Sequence, residues 1–202
     1  QPSIFAAEYR DQIGHPEHRA LAREAVRKSP VLLKNSNNLL PLHADRRYLV
    51  AGPGADNIGQ QSGGWTISWQ GTGNANTDFP GAMSIFEGLT QQIESAGGSV
   101  TTDESAEVDA AIFVFGETPY AEMQGDVYSV AWHDQRAERS RMQALKQRGI
   151  PVVAVFLTGR PMWVNDILNL SDAFVVSWLP GSEGQGVADV LLRDAAGRVQ
   201  YD

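Results

Sequence analysis

The chain has 202 residues, with 16 Lys plus Arg against 24 Asp plus Glu, so its formal net charge is −8. Hydrophobic residues make up 42% and charged residues 20%, which excludes a disordered tail and fits one folded domain or two small ones. The acidic balance excludes generic binding to nucleic-acid phosphates. The absence of Cys excludes disulfides, thiolate metal sites and a Cys nucleophile. No apolar run approaches the roughly 20 residues of a membrane helix, and the N-terminus lacks the basic-then-apolar pattern of a signal peptide.

In chain order, apolar residues three to four apart (Leu21, Ala22, Ala25, Val26, Val31 to Leu33) predict a helix to about residue 33. Lys34 to Asn38 is a polar turn cluster, followed by a short apolar anchor at Leu39, Leu40 and Leu42. Tyr48 to Gly52 reads as a buried strand. Residues 53–80 are rich in Gly, Gln, Asn and Thr, and are expected to form an irregular loop of about 28 residues, a length usually kept for function. A helix over 81–96 closes at Gly97-Gly98, and Ser99 to Thr101 follows as a short strand. Ala110 to Phe115 is continuously apolar, the mark of a strand buried on both faces. After a second polar loop to about 133 come a charged helix at 134–148, with Met142 and Leu145 facing the core, and a strand from Pro151 to Leu157. A helix at 161–169 opening on Pro161, a strand from Ala173 to Leu179 and a helix at 183–192 complete the pattern. Alternation of apolar strands with helices predicts an α/β fold, its sheet mainly parallel with helices on both faces. Ligands bind such sheets outside the carboxyl ends of the strands, and both long loops leave from that edge.

Several residues there can carry chemistry. Gly52, Gly54 and Gly59 follow a strand, but no Lys-Ser/Thr follows them and no helix opens directly, so a nucleotide-binding, flavodoxin-like reading is disfavoured. Trp65 and Trp69 stand in a Gly-flanked polar loop. Each offers a flat apolar face and one N–H, suited to stacking on a sugar ring, and Trp65 is the stronger candidate; the alternative is that both pin the loop. Glu117, Glu122 and Asp126 lie just past the buried strand. Glu117, at the strand end, would be partly desolvated, which favours the proton-donating form. It is equally a carboxylate paired with a nearby Arg or a helix cap. Ser182 and Glu183 suit a helix start and read as structural. The four His, at 15, 18, 43 and 133, show no metal-ligand spacing, and no Gly-x-Ser-x-Gly motif offers a nucleophile. No cofactor or metal is expected.

Four ordered segments resemble the second domain of glycoside hydrolase family 3. They are His18 to Ala25 with Val31 to Asn35; Gly63-Gly64-Trp65-Thr66-Ile67 with Trp69-Gln70-Gly71; Gly116-Glu117, Pro119-Tyr120, Glu122 and Gly125-Asp126; and Trp178 to Gly186. The resemblance is strongest to β-D-glucan exohydrolases. It implies a six-stranded (α/β)₆ sandwich, flavodoxin-like in layout, at 47–202. Residues 1–46 would be a helical lead-in and linker from an N-terminal (β/α)₈ barrel. It further implies retaining hydrolysis of β-D-glucosidic bonds in a β-glucan or β-gluco-oligosaccharide, with an Asp nucleophile on the barrel and a Glu acid/base on this domain. The family's Glu after the strand-ending Gly matches Glu117, with Glu122 as the rival in the same loop; the Trp lining the glucose slot matches Trp65. Without the barrel the chain alone is expected to be inactive. A polymeric substrate implies a periplasmic or secreted enzyme. The competing expectation is a non-catalytic carbohydrate-binding or support domain.

Overall fold

The computed structural model describes residues 12–132, 136–194 and 196–199. Residues 1–11 of the expected lead-in, His133 and the expected helix start at 134–135 lie outside them. Helix α1, Pro16–Lys28, opens on Pro16, whose missing N–H costs nothing in a first turn, and ends with Arg27 and Lys28 at the negative pole of its dipole. The helix does not continue to residue 33. Pro30 has no N–H to extend the ladder, and the Ser29 N–H and hydroxyl take the Val26 carbonyl instead. Val31–Asn35 is strand β1, paired antiparallel with Ala173–Trp178.

The remaining strands are β2 (Leu42–His43), β3 (Arg47–Ala51), β4 (Ser99–Thr101), β5 (Ala110–Gly116), β6 (Val152–Leu157), β7 (Ala173–Trp178) and β8 (Leu192–Arg193). Five of them join β1 in one sheet of order β1-β7-β6-β5-β3-β4, parallel except for β1, while β2 and β8 pair separately. The mainly parallel α/β sheet expected from the sequence is therefore present. Successive strand residues point to opposite faces. On one face Ile112, Val114, Val153 and Val155 meet Ile85, Leu89 and Ile93 of α3 (Ile85–Ser95), with Val187 and Leu191 of α6 (Gln185–Leu191). On the other, Phe113, Phe115, Phe156 and Phe174 meet Met142 and Leu145 of α4 (Arg136–Gln147) and Ile167 of α5 (Asn165–Leu170). Chain direction across the sheet reverses at β3, which lies between β4 and β5. The carboxyl ends of β3 and β5 are thus the topological switch point, where an open α/β sheet leaves a crevice.

Four further expectations change. The loop at 53–80 is not wholly irregular: Ile58–Ser62 is a short helix, α2, capped by the Asn57 side chain, which accepts the Gln60 N–H at 2.9 Å. Pro161 does not open a helix. The segment after it pairs with the second polar loop, the Trp163 N–H donating to the Val130 carbonyl at 2.9 Å and the Trp132 N–H to the Trp163 carbonyl at 3.1 Å, so α5 starts at Asn165. Ser182 does not cap the last helix either. Its carbonyl accepts the Met83 N–H at 3.0 Å, and Gly184 is the cap residue. The helix expected from 81 starts at Ile85, where Ser84 and Glu87 exchange side chain-to-backbone bonds of 3.1 and 2.8 Å. Among the described residues no helix is long and apolar enough to cross a membrane.

A buried carboxylate joins three helices. Asp189 of α6 has no exposed side-chain surface. It accepts from Arg23 Nε and Nη2 at 2.6 Å each, from Arg27 Nε at 2.5 Å, and from Gln92 Nε2 of α3 at 2.7 Å. Burial pushes the carboxyl up, but the bonds and charges of Arg23 and Arg27 outweigh it and hold the group below the usual Asp range. Asp189→Ala removes the carboxylate that Arg23 and Arg27 share and is expected to cost about 3 kcal/mol in urea unfolding. Because the folded-state pKa is depressed, this stabilisation is complete above the ordinary Asp range and lost as pH falls through the folded value. Asp189→Asn should flatten the stability-against-pH curve in that acid window; an unchanged slope would show that Asp189 is not the linked group.

Candidate active site

The two long loops meet over the switch point. Gly116 ends β5 against the β6 backbone, and the Glu117 N–H donates to the Leu157 carbonyl at 2.9 Å. The Glu117 side chain then turns to the neighbouring strand end. Its Oε2 accepts from the Thr158 hydroxyl at 2.6 Å, and its Oε1 accepts from Arg160 Nε at 3.0 Å and Nη2 at 2.7 Å. Only 10% of the side chain is exposed. Arg160 also donates through Nη1 to the Gly125 carbonyl at 2.6 Å and lies 4.1 Å over the Tyr120 ring. Glu117 is therefore the Arg-paired carboxylate, one of the two readings its sequence allowed, and the pair staples loop 117–125 to the end of β6.

Glu122 has the opposite surroundings. It lies on the exposed side of the same loop. Its Oε1 accepts from Trp65 Nε1 at 3.3 Å and its Oε2 from Trp69 Nε1 at 2.8 Å. The indole N–H of Trp69 foremost, then the residue's own backbone and, more weakly, Trp65, hold the carboxyl below the usual Glu range against a small opposing effect of burial. Asp126, the third carboxylate, accepts the Met123 N–H at 3.2 Å and closes the turn.

Trp65 is 68% exposed and Trp69 45%, so neither is core. Their rings are 6.2 Å apart and tilted by 43°, and the Trp65 N–H donates to the Trp69 carbonyl at 2.9 Å, closing a tight loop. That loop is strained. Trp65 and Ile67 have φ of 59° and 61°, and Met123 in the facing loop has 72°, a region that side chains avoid, β-branched ones most. Asn74 Nδ2 holds the loop by donating to the Thr66 and Gly71 carbonyls, each at 3.1 Å. Gly64 lets the loops touch: a Cβ there would lie 1.9 Å from the Tyr120 carbonyl oxygen. The structure thus brings together Trp65, Trp69 and Glu122, and engages Glu117 elsewhere.

Arg160 and Gln70 were not singled out from the sequence. Arg160 had a signal, since β5 and β6 run in register from Ala111 opposite Val152 to Gly116 opposite Leu157, which puts the residues after both strands side by side. Gln70 had only its place in the Trp69-Gln70-Gly71 segment that carries the resemblance. Glu183 is structural as expected, though as the ion-pair partner of Arg19 at 2.9 Å.

The chain is similar to known proteins over most of its length. The Glycosyl hydrolase family 3 C-terminal domain pattern matches residues 30–200. A lysosomal beta glucosidase of Dictyostelium discoideum is 32% identical over 206 residues, covering 90% of this chain and 25% of the relative. A periplasmic beta-glucosidase of Salmonella typhimurium is 29% identical, covering 88% of this chain and 27% of the relative. Among solved structures, the exo-1,3/1,4-beta-glucanase ExoP of a Pseudoalteromonas species superposes with a TM-score of 0.92 at 52% identity, over 96% of this chain and 25% of that one. The chain spans about a quarter of the length of these relatives. With the six-stranded sheet, the loop pair at its switch point and the matched sequence all in agreement, the chain belongs to glycosyl hydrolase family 3, as its C-terminal domain.

Proposed function

We propose that this chain is the acid/base-bearing domain of a retaining, exo-acting β-glucosidase or β-glucan glucohydrolase, and that Glu122 rather than Glu117 is the acid/base. The observation that carries the assignment is the contrast between the two carboxylates. Three donors converge on Glu117 and fix it to the scaffold. Glu122 stands exposed between two indole rings, where a sugar can reach it. The substrate is a β-glucan or β-gluco-oligosaccharide, in line with the names of the relatives. Its terminal ring stacks on Trp65, whose apolar face matches the C–H face of a pyranose. The second carboxylate, the nucleophile, comes from an N-terminal (β/α)₈ barrel domain, since retaining hydrolysis needs two carboxyls about 5–5.5 Å apart. The enzyme works in the periplasm or outside the cell, where such polymers occur. A purely supporting role leaves an exposed carboxylate between two exposed Trp without a purpose.

The chemistry has two steps. Glu122 gives its proton to the glycosidic oxygen as the barrel carboxylate attacks the anomeric carbon. In the second step it takes a proton from the water that releases the glucosyl group. The indole N–H groups favour the ionised form needed for the second step. Burial under sugar and barrel raises the pKa again for the first.

Glu122→Ala in the full-length enzyme should lower turnover of alkyl glucosides and gluco-oligosaccharides by about 10²–10⁴-fold, and that of dinitrophenyl glucosides less, because an acidic leaving group needs little protonation. Azide should restore the latter and yield a β-glucosyl azide. Glu117→Ala should instead lower the melting temperature, without azide rescue. Azide rescue of the Glu117 variant would return the role to Glu117. Trp65→Ala should weaken glucoside binding by roughly 1–3 kcal/mol, with isothermal titration of an inert inhibitor as the readout. Trp69→Phe keeps a ring but removes the main donor that depresses the Glu122 pKa. The basic limb of its kcat/KM profile should move to higher pH, and a limb that stays put or moves down would contradict the arrangement.

A further inference from the structure

We infer that Gln70 is the positioning residue for Glu122; the inference rests on the assignment of Glu122 as the acid/base. The Gln70 side chain bonds the catalytic loop on both sides of one residue step. Its Oε1 accepts the Ala121 N–H at 2.7 Å and its Nε2 donates to the Glu122 carbonyl at 2.9 Å. Residues 122–125 form a turn with no strand partner, so one amide holds two successive residues at its entrance. Only a side chain with both a donor and an acceptor fits, and Asn is one methylene too short to span the same gap.

Position along the chain makes the arrangement a unit. Trp69, immediately before, holds the Glu122 carboxylate through Oε2 at 2.8 Å. Gly71, immediately after, has φ of 72°, and a Cβ there would lie 2.2 Å from the Gly63 carbonyl oxygen, so the chain packs back on the start of its own loop. Successive residues therefore fix the carboxylate and the backbone that carries it. Glu122 is exposed and Gln70 half-exposed, so water can replace the bond to the Glu122 carbonyl, and only the N–H of buried Ala121 loses its acceptor. What water cannot replace is the aim of the carboxyl group at the leaving oxygen.

The test is Gln70→Met in the full-length enzyme, beside Glu122→Ala and the double variant. For glucosides with poor leaving groups, kcat/KM of Gln70→Met should fall about 10–100-fold, the scale of a small misplacement of a catalytic group. The loss on a dinitrophenyl glucoside should be much smaller, and the melting temperature should fall by no more than the loss of one partly buried hydrogen bond accounts for. Adding Gln70→Met to Glu122→Ala should cost nothing more, because the group it positions is gone. Gln70→Glu keeps the acceptor, loses the donor and adds a like charge, so it should move the basic limb of the pH profile upward even if the Met variant folds badly. Equal losses on both substrates, or an undiminished loss in the Glu122→Ala background, would overturn the inference while leaving the acid/base assignment intact. Absence of leaving-group dependence in Glu122→Ala itself would defeat both.

Discussion

Arg160 decides the shape of the site. Its guanidinium binds the Glu117 carboxylate, the Gly125 carbonyl and the Tyr120 ring at once, so the first and last thirds of loop 117–125 are tied to one planar group at the end of β6. A partly buried guanidinium with a matched carboxylate is costly to break, since either partner alone is left charged and poorly solvated. The staple leaves the middle of the loop, at Glu122, standing away from the sheet. The most tightly held carboxylate in the loop is thus bound to the end of β6, and the carboxylate on the exposed side of the loop is Glu122.

Rigidity alone does not tell the two glutamates apart. A glutamate at the end of a buried strand is well positioned for proton transfer, and for the same reason it lies beside whatever ends the next strand. Thr158 and Arg160 occupy that place by the register of β5 on β6. The strands themselves were legible because a two-sided parallel sheet requires continuous apolar runs, as in Ala110 to Phe115 and Val152 to Leu157. Met142 and Leu145 were legible as core because the rest of their helix is charged. Val31 to Leu33 misled because three apolar residues continue a helical period as well as they form an edge strand, and only Pro30 marks the break. The helix starts at Asn165 and Gln185 were set by long-range backbone bonds, which no local pattern carries, whereas the start at Ile85 has a local signal in the Ser84-x-x-Glu87 cap.

The facing loop shows a different economy of structure. Trp65 and Ile67 sit in left-handed conformations that cost of order 1–3 kcal/mol each, and neither gains burial in exchange. The strain persists because Asn74, the Trp65-to-Trp69 backbone bond and the Gln70 amide over-determine the loop. Its effect is to turn two indoles outward and point both N–H groups at a single carboxylate. An ordinary hairpin would let Trp65 and Trp69 fold back on the sheet, where their apolar surface would stabilise the domain more.

On the proposed assignment, those two N–H groups bear on catalysis in a way that depends on what covers them. In the exposed domain they draw the Glu122 carboxyl below the usual Glu range, toward the form that receives a proton from water. An acid needs the reverse, and desolvation is the means to it, because it disfavours charge without touching the indoles. A sugar ring laid against Trp65 would remove water from one side of the carboxyl group, and the proposed barrel domain would remove it from the other. As the leaving group departed, water would return and the indole bonds would regain their advantage. One residue would then be acid in the closed state and base in the wetter one, with Trp69 setting how far its pKa must travel between them.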